Sequence, residues 1–167
     1  MMKLILIGFM GSGKTTISQF LGQQLAEPVL DLDREIERQQ QQTIPQIFAQ
    51  SGEKGFRQIE HDVLQQSIGF SGILATGGGT PLRADNLQLL RQAGVPVILL
   101  VASPAETYRR LQQQDNRPLG NKLDVAGIRQ LQRDRQPFYD RCADVSIMTD
   151  DRTPAEITQE IIKYLQK

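Results

Sequence analysis

Leu4-Ile5-Leu6-Ile7-Gly8-Phe9-Met10-Gly11-Ser12-Gly13-Lys14-Thr15 is the stretch on which the reading of this chain turns. Four consecutive apolar residues suit a strand buried on both faces, as in a parallel sheet. The eight that follow match G-x-x-x-x-G-K-[ST] in full. Glycines let the backbone curl so that successive N–H groups converge on phosphate oxygens. A helix starting at Lys14 adds the positive end of its dipole. Lys14 supplies a mobile charge for terminal phosphates, and the Thr15 hydroxyl can ligate Mg²⁺. Gly11, Ser12, Gly13, Lys14, Thr15 and Thr16 are therefore candidate nucleotide-binding positions. Thr16 reads as capping or facing solvent rather than touching metal. An incidental glycine-rich turn would not need to fall between a strand and a helix, as this one does.

Working outward, the helix should run over residues 14–26, with Ile17, Phe20, Leu21 and Leu25 on one stripe and Pro28 ending it. Val29-Leu30-Asp31 reads as a second strand. Thr43 with Pro45 reads as a helix start, Gly52 as its end, and a further helix should reach about Ile68. Ile73-Leu74-Ala75 is a third strand, stopped by Gly77-Gly78-Gly79. Residues 97–101 form a fourth, and Ser103-Pro104 opens a helix. Val145-Ser146-Ile147 is a fifth, and Thr153-Pro154 opens the last helix. Strands alternating with helices imply one α/β domain, residues 1–167, around a five-stranded parallel sheet. The glutamine runs at 39–42 and 112–114 read as solvated surface. Residues 115–124 hold Asn116, Pro118, Gly120 and Asn121 with little apolar content, which predicts a mobile loop.

Composition excludes several classes. The chain has 167 residues, 39% apolar and 23% charged, with 19 Lys plus Arg against 19 Asp plus Glu. A zero formal charge leaves no basic field for nucleic acid or an anionic membrane. Anion binding must then come from local arginines. The one cysteine, Cys142, excludes an intramolecular disulfide, fits a reducing compartment and reads as a packed thiol. The apolar stretch at 4–10 is too short to span a bilayer. Met1-Met2-Lys3 before it has the outline of an export signal, but no small-residue cleavage site follows.

A phosphate loop alone names a nucleotide, not a reaction. Asp31 and Asp33 end the second strand, where residues two apart share a face and can project into the crevice that binds ligands. Asp31 is then the metal-side acid, and Asp33 can meet an acceptor hydroxyl. Asp33-Arg34-Glu35 also reads as a helix start with its N-cap and first-turn acids. The triple glycine permits close approach to its backbone. An arginine can grip a carboxylate in two parallel hydrogen bonds, but Arg57 and Arg135 lie too far apart in sequence for spacing to pair them on one; Arg117, in the predicted loop, can reach phosphate. His61, in mid-helix, reads as structural or surface.

These pieces together resemble shikimate kinase, within the nucleoside-monophosphate-kinase-like P-loop fold. The resemblance spans residues 4–165. Its motifs are the phosphate loop, Asp31-Leu32-Asp33 with Ile36-Glu37, Ile47-Phe48, Gly52-Glu53, Phe56-Arg57 with Glu60, Thr76-Gly77-Gly78-Gly79, Arg117-Pro118-Leu119, and Arg135-Gln136-Pro137-Phe138-Tyr139. It implies a three-layer fold with a mobile lid at about 112–124 and substrate-binding helices at about 32–61. It implies transfer of the γ-phosphate of ATP to the 3-hydroxyl of shikimate, with Mg²⁺, in aromatic amino-acid synthesis. By the resemblance, Arg57 and Arg135 hold the substrate carboxylate, and Asp33 with the Gly78 and Gly79 backbone meets the ring hydroxyls. Phe48 and Phe56 wall the pocket. Arg117 is the lid arginine, and Arg110 and Pro154 border the adenine. The family further implies a monomeric cytoplasmic enzyme whose partners are the small molecules ATP and shikimate. One departure is in the lid, where Leu119 is followed by Gly120-Asn121 instead of a second leucine.

Two rival readings share the phosphate loop. A gluconate or nucleotide kinase would bring acceptor motifs that do not occur here. A non-catalytic nucleotide-binding homologue would not need the complete set of Lys14, Asp33, Arg117 and Arg135.

Overall fold

The computed structural model describes residues 2–113 and 123–166. Most of the predicted lid at about 112–124 falls at positions 114–122, with Arg117, outside the described residues.

Five strands form one parallel sheet: β1 Leu4–Ile7, β2 Val29–Asp31, β3 Ile73–Ala75, β4 Val97–Val101 and β5 Val145–Met148. Their order is β2-β3-β1-β4-β5, with Leu4 opposite Ile73 and Ile5 opposite Val97. The central β1 is buried along its whole length. Because strand side chains alternate, Leu4 and Leu6 face one layer and Ile5 and Ile7 the other. The first layer is α1 Lys14–Leu25 with α7 Pro154–Leu165, which bring Ile17, Leu21, Ile157 and Ile161 against Ile98 and Leu100. The second holds α2 Leu32–Gln40, α3 Ile44–Ser67, α4 Ala84–Gln92, α5 Pro104–Gln112 and α6 Val125–Cys142. Its core includes Leu32, Ile36, Phe56, Leu64, Leu90, Leu111, Ile128 and Tyr139. Both faces of the sheet are therefore covered, which is why β1 reads as an unbroken apolar run.

The helix starts follow their caps. Thr43 accepts from the Gln46 N–H while Gln46 reaches back to the Thr43 N–H, a complete capping box, and Thr153 with Glu156 repeats it. Gly52, at φ 66° and ψ −175°, breaks the helical path inside α3, so the two predicted helices run on as one kinked element.

Three helices differ from expectation. α2 begins at Leu32, so Asp33 sits in a helix, as the alternative reading of Asp33-Arg34-Glu35 had it, rather than on the strand beside Asp31. The Asp31 carboxylate caps that helix, accepting from the N–H groups of Asp33 and Arg34, and this local competition ends β2 at Asp31. α4 and α6 had no predicted counterpart. α6 carries Pro137 in its interior, a residue that ordinarily argues against helix.

Among the described residues, no helix is long and apolar enough to cross a membrane. Cys142 is buried, and desolvation pushes its thiol up to about 11, as expected of a packed, unreactive thiol.

Candidate active site

The carboxyl ends of β1, β2 and β3 meet at one rim of the sheet. The turn after β1 reaches α1 through Gly13 at φ 96°, a left-handed conformation that favours glycine. Lys14 folds back over the loop, its Nζ donating to the carbonyls of Gly8 at 2.7 Å and Phe9 at 3.0 Å. One residue on, Thr15 Oγ1 donates to Asp31 Oδ2 at 2.9 Å. The two proposed metal-side oxygens are thus neighbours although sixteen positions separate them.

A cavity of about 860 Å³ opens over this rim. Gly11, Ser12, Gly13, Lys14, Thr15 and Thr16 line one side, with Asp31, Asp33 and Gly78 beyond them. At its far end stand Arg110, Thr149, Pro154 and Ile157. Arg110 is tied down there: Nε donates to Glu106 at 2.7 Å, Nη1 to the Gly11 carbonyl and the Thr149 hydroxyl, and Nη2 to the Thr149 carbonyl. It therefore buttresses the phosphate loop as well as edging the cavity. Hydrogen bonds from Arg109 and then Arg110 hold the Glu106 carboxyl at about 2, well below the usual 4.5.

The second cluster meets that cavity at Asp33 and Gly78, while its Arg57, Arg135, Gly79, Phe48 and Phe56 lie beyond the cavity's lining. A Cβ on Gly79 would collide with the Arg57 guanidinium, 2.7 Å from its Cζ, so glycine there lets the arginine lie over the backbone. A Cβ on Gly77 would stand 2.8 Å from Asp33 Oδ1, which places the Asp33 carboxylate against the same loop. Arg57 stacks on Phe56 at 5.2 Å, and Phe56 on Phe48 at 4.5 Å. Arg135 lies over the Phe9 ring at 5.3 Å, and its buried Nε has no hydrogen-bond partner among the described residues. Four residues on, Tyr139 donates to the Gly78 carbonyl at 2.6 Å. Burial pushes the Tyr139 hydroxyl up to about 12 although Arg135 and Arg57 pull the other way, so it stays a neutral donor at ordinary pH. The fold thus brings Arg57, Arg135, Asp33, Gly78, Gly79, Phe48 and Phe56 around one loop, next to the phosphate loop.

Sequence reasoning gave no role to Glu60, Thr80 or Glu106. Glu60 is 1% exposed and accepts from Arg57 Nη1 at 2.7 Å and from Thr80 Oγ1 at 2.8 Å. The signal was available: Arg57 and Glu60 are three apart on one helix, as Glu106 and Arg109 are.

A strand, a phosphate-binding loop and a helix on a doubly covered parallel sheet, facing acids and arginines across a crevice, define a P-loop phosphotransferase. The family model for shikimate kinase matches residues 10–166, and the chain belongs to that family. It is 53% identical over 166 residues to the shikimate kinase of Limosilactobacillus fermentum, covering 99% of this chain and 96% of the relative. The solved shikimate kinase from Acinetobacter baumannii, in complex with shikimate, superposes with a TM-score of 0.92 at 34% identity, covering 98% of this chain and 92% of that one. A gluconokinase from Sinorhizobium meliloti reaches a TM-score of 0.59 at 12% identity, a likeness of fold alone.

Proposed function

We infer that this chain transfers the γ-phosphate of ATP to the 3-hydroxyl of shikimate, releasing shikimate 3-phosphate and ADP, a step toward chorismate and the aromatic amino acids. The observation that carries the reading is the placement of Arg57 over Gly79, with Arg135 and Tyr139 beside Gly78, at the edge of the phosphate-loop cavity. Two guanidinium groups next to a glycine backbone suit a compact hydroxylated carboxylate.

Phosphoryl transfer asks mainly for positioning and for neutralising charge on the moving group. The loop N–H groups and the start of α1 receive the phosphates. Lys14 leaves its two carbonyl partners for the β- and γ-oxygens. Asp33 orients the acceptor hydroxyl against the loop, and Phe48 and Phe56 shield that side from water. Thr15 and Asp31 offer oxygen atoms only, which fits Mg²⁺, and these two residues would hold it. Among the described residues no group of three or more acids, histidines or cysteines surrounds a point, which also fits an ion completed by phosphate and water. When bound there, the ion would supply positive charge against the phosphates. Turnover falls in the kinase range, roughly 1–100 s⁻¹. We read the chain as one kinase domain working as a monomer on two small molecules in the cytoplasm.

An ADP-release assay with MgATP and shikimate, run beside gluconate, AMP and no acceptor, tests the reading. Turnover with shikimate alone is the expected result. Turnover on another acceptor keeps the fold and overturns the substrate. ATP binding without turnover on any acceptor makes the chain a nucleotide-binding module.

A further inference from the structure

We propose that Asn86 is a positioning residue for Arg57, acting through Thr80 and Glu60 from outside the site. The inference rests on the reading of Arg57 as a carboxylate-binding group.

Asn86 lies in the first turn of α4 and is fully buried. From α4 its amide reaches two further elements, the short 3-10 turn after the triple glycine and α3. Nδ2 donates to the carbonyl of Thr80 at 3.0 Å, in the short 3-10 turn Thr80–Leu82 that follows the triple glycine. A carbonyl only accepts, so this bond fixes which way the amide points and leaves Oδ1 facing His61. His61 Nδ1 stands 2.7 Å from that oxygen and is therefore the nitrogen that carries the proton. The lone histidine, read from sequence as structural or surface, thus holds the Asn86 amide in register.

The bond to Thr80 matters because of what Thr80 does next. Its hydroxyl donates to Glu60 Oε1, and Glu60 Oε2 receives Arg57 Nη1. Thr80 and Glu60 are 0% and 1% exposed, so bulk water does not reach them to replace a partner that moves. A shift of the 3-10 turn therefore re-aims the Glu60 carboxylate, and Arg57 with it. The same end of α4 also grips the backbone below Arg57: Arg83 Nη1 donates to the Arg57 carbonyl at 3.2 Å, and Asp85 holds Arg83 at 2.7 Å. None of these side chains lines the nucleotide cavity. The effect of Asn86 should thus fall on the acid and not on ATP.

Steady-state kinetics of the full chain with MgATP and shikimate test this, with thermal melting in parallel. Asn86→Leu is expected to raise KM for shikimate roughly three- to tenfold, the range set by a buried hydrogen bond, with kcat and KM for ATP within about twofold. In an Arg57→Ala background the same change is expected to add nothing to KM, because its route is gone. Lower thermal stability with an unchanged KM for shikimate overturns the proposal, and so does a full additive effect in the Arg57→Ala background. If Asn86→Leu does not fold, His61→Leu carries the test from a partly exposed position. A KM for shikimate raised about two- to fourfold, with His61→Gln near wild type because it keeps a donor, supports the relay; no change overturns it. An unchanged KM in Arg57→Ala itself overturns the assignment of Arg57, and is distinguished from failure of the relay by that single variant.

Discussion

Thr15 and Asp31 are joined by a 2.9 Å hydrogen bond from Oγ1 to Oδ2, which locks the first turn of α1 to the end of β2. Asp31 turns its other oxygen to the N–H groups that open α2. One carboxylate therefore meets the proposed metal-side hydroxyl of Thr15 and starts the helix that carries Asp33.

These two duties separate by substitution. Asparagine caps helices as well as aspartate does but brings no charge. Asp31→Asn should raise the Mg²⁺ concentration for half-maximal activity about tenfold while leaving Tm almost unmoved. Asp31→Ala should do both harms, lowering Tm by about 2–4 °C for a lost cap of about 1 kcal/mol. Mg²⁺ titration of activity and thermal melting of both variants check this. Equal Mg²⁺ dependence in Asp31→Asn and wild type would remove Asp31 from the metal side.

Gly79→Ala should act as a displaced arginine. Gly79 has φ −94°, which alanine adopts without strain, so the cost is the collision with Arg57 alone. KM for shikimate should rise several-fold with KM for ATP unchanged, in the direction of Arg57→Ala but by less. Arg57→Ala should raise it roughly thirtyfold or more, the scale for truncating one partner of a charge pair. If Gly79→Ala alters KM for ATP instead, the triple-glycine loop belongs to the nucleotide.

Lys14→Met keeps the apolar stem and removes the charge. kcat should fall about 10²- to 10³-fold, as for loss of one oriented transition-state donor, with the melting curve near that of wild type. Single-turnover phosphoryl transfer measures the step directly, and a near-normal rate would exclude Lys14 from it.

Glu106 carries a pH signature. Arg109 and Arg110 hold its folded carboxyl at about 2 against an ordinary 4.5. A group depressed on folding contributes stability above its unfolded value and loses it as pH falls through the folded one. Wild type should therefore melt above Glu106→Gln at pH 7, and the gap should close between pH 4.5 and 2. Glu35, also held at about 2, is common to both proteins and cancels in the comparison. At pH 7 the variant should also show a several-fold higher KM for ATP, since Arg110, which donates to the Gly11 carbonyl of the loop, loses its Glu106 anchor. A gap that persists unchanged at pH 2 would mean that the pairing is not its source.

Much of this was legible in the sequence, for identifiable reasons. β1, the phosphate loop and α1 are set by local spacing, and β3 and β4 are uninterrupted apolar runs like β1. The Ser103, Thr43 and Thr153 caps announced their helices. α2 was legible only as an alternative, the helix start at Asp33-Arg34-Glu35, because Asp31 both ends a strand and caps a helix with no connecting residue to mark the change. α6 was masked by Pro137, tolerated because eighteen residues of surrounding helix and the buried Ile128, Arg135 and Tyr139 outweigh one broken bond. Arg57 and Arg135 could be nominated from sequence, but only the sheet order brings them to one loop. The Glu60–Thr80–Asn86 chain runs between three elements and leaves no spacing signature at all.

The central position of β1 has a consequence for biosynthesis. The phosphate loop is made within the first fifteen residues, yet its flanking strand is paired only when Ile73 and then Val97 have been added. The same holds at the loop itself, where the Leu100 carbonyl packs 2.5 Å from the position of a Cβ on Gly8. A ribosome-bound fragment ending before β4 thus carries the full nucleotide motif without the walls that shape it. ATP can stabilise this chain only after more than half of it has been synthesised, so the nucleotide rewards a finished sheet and cannot template one.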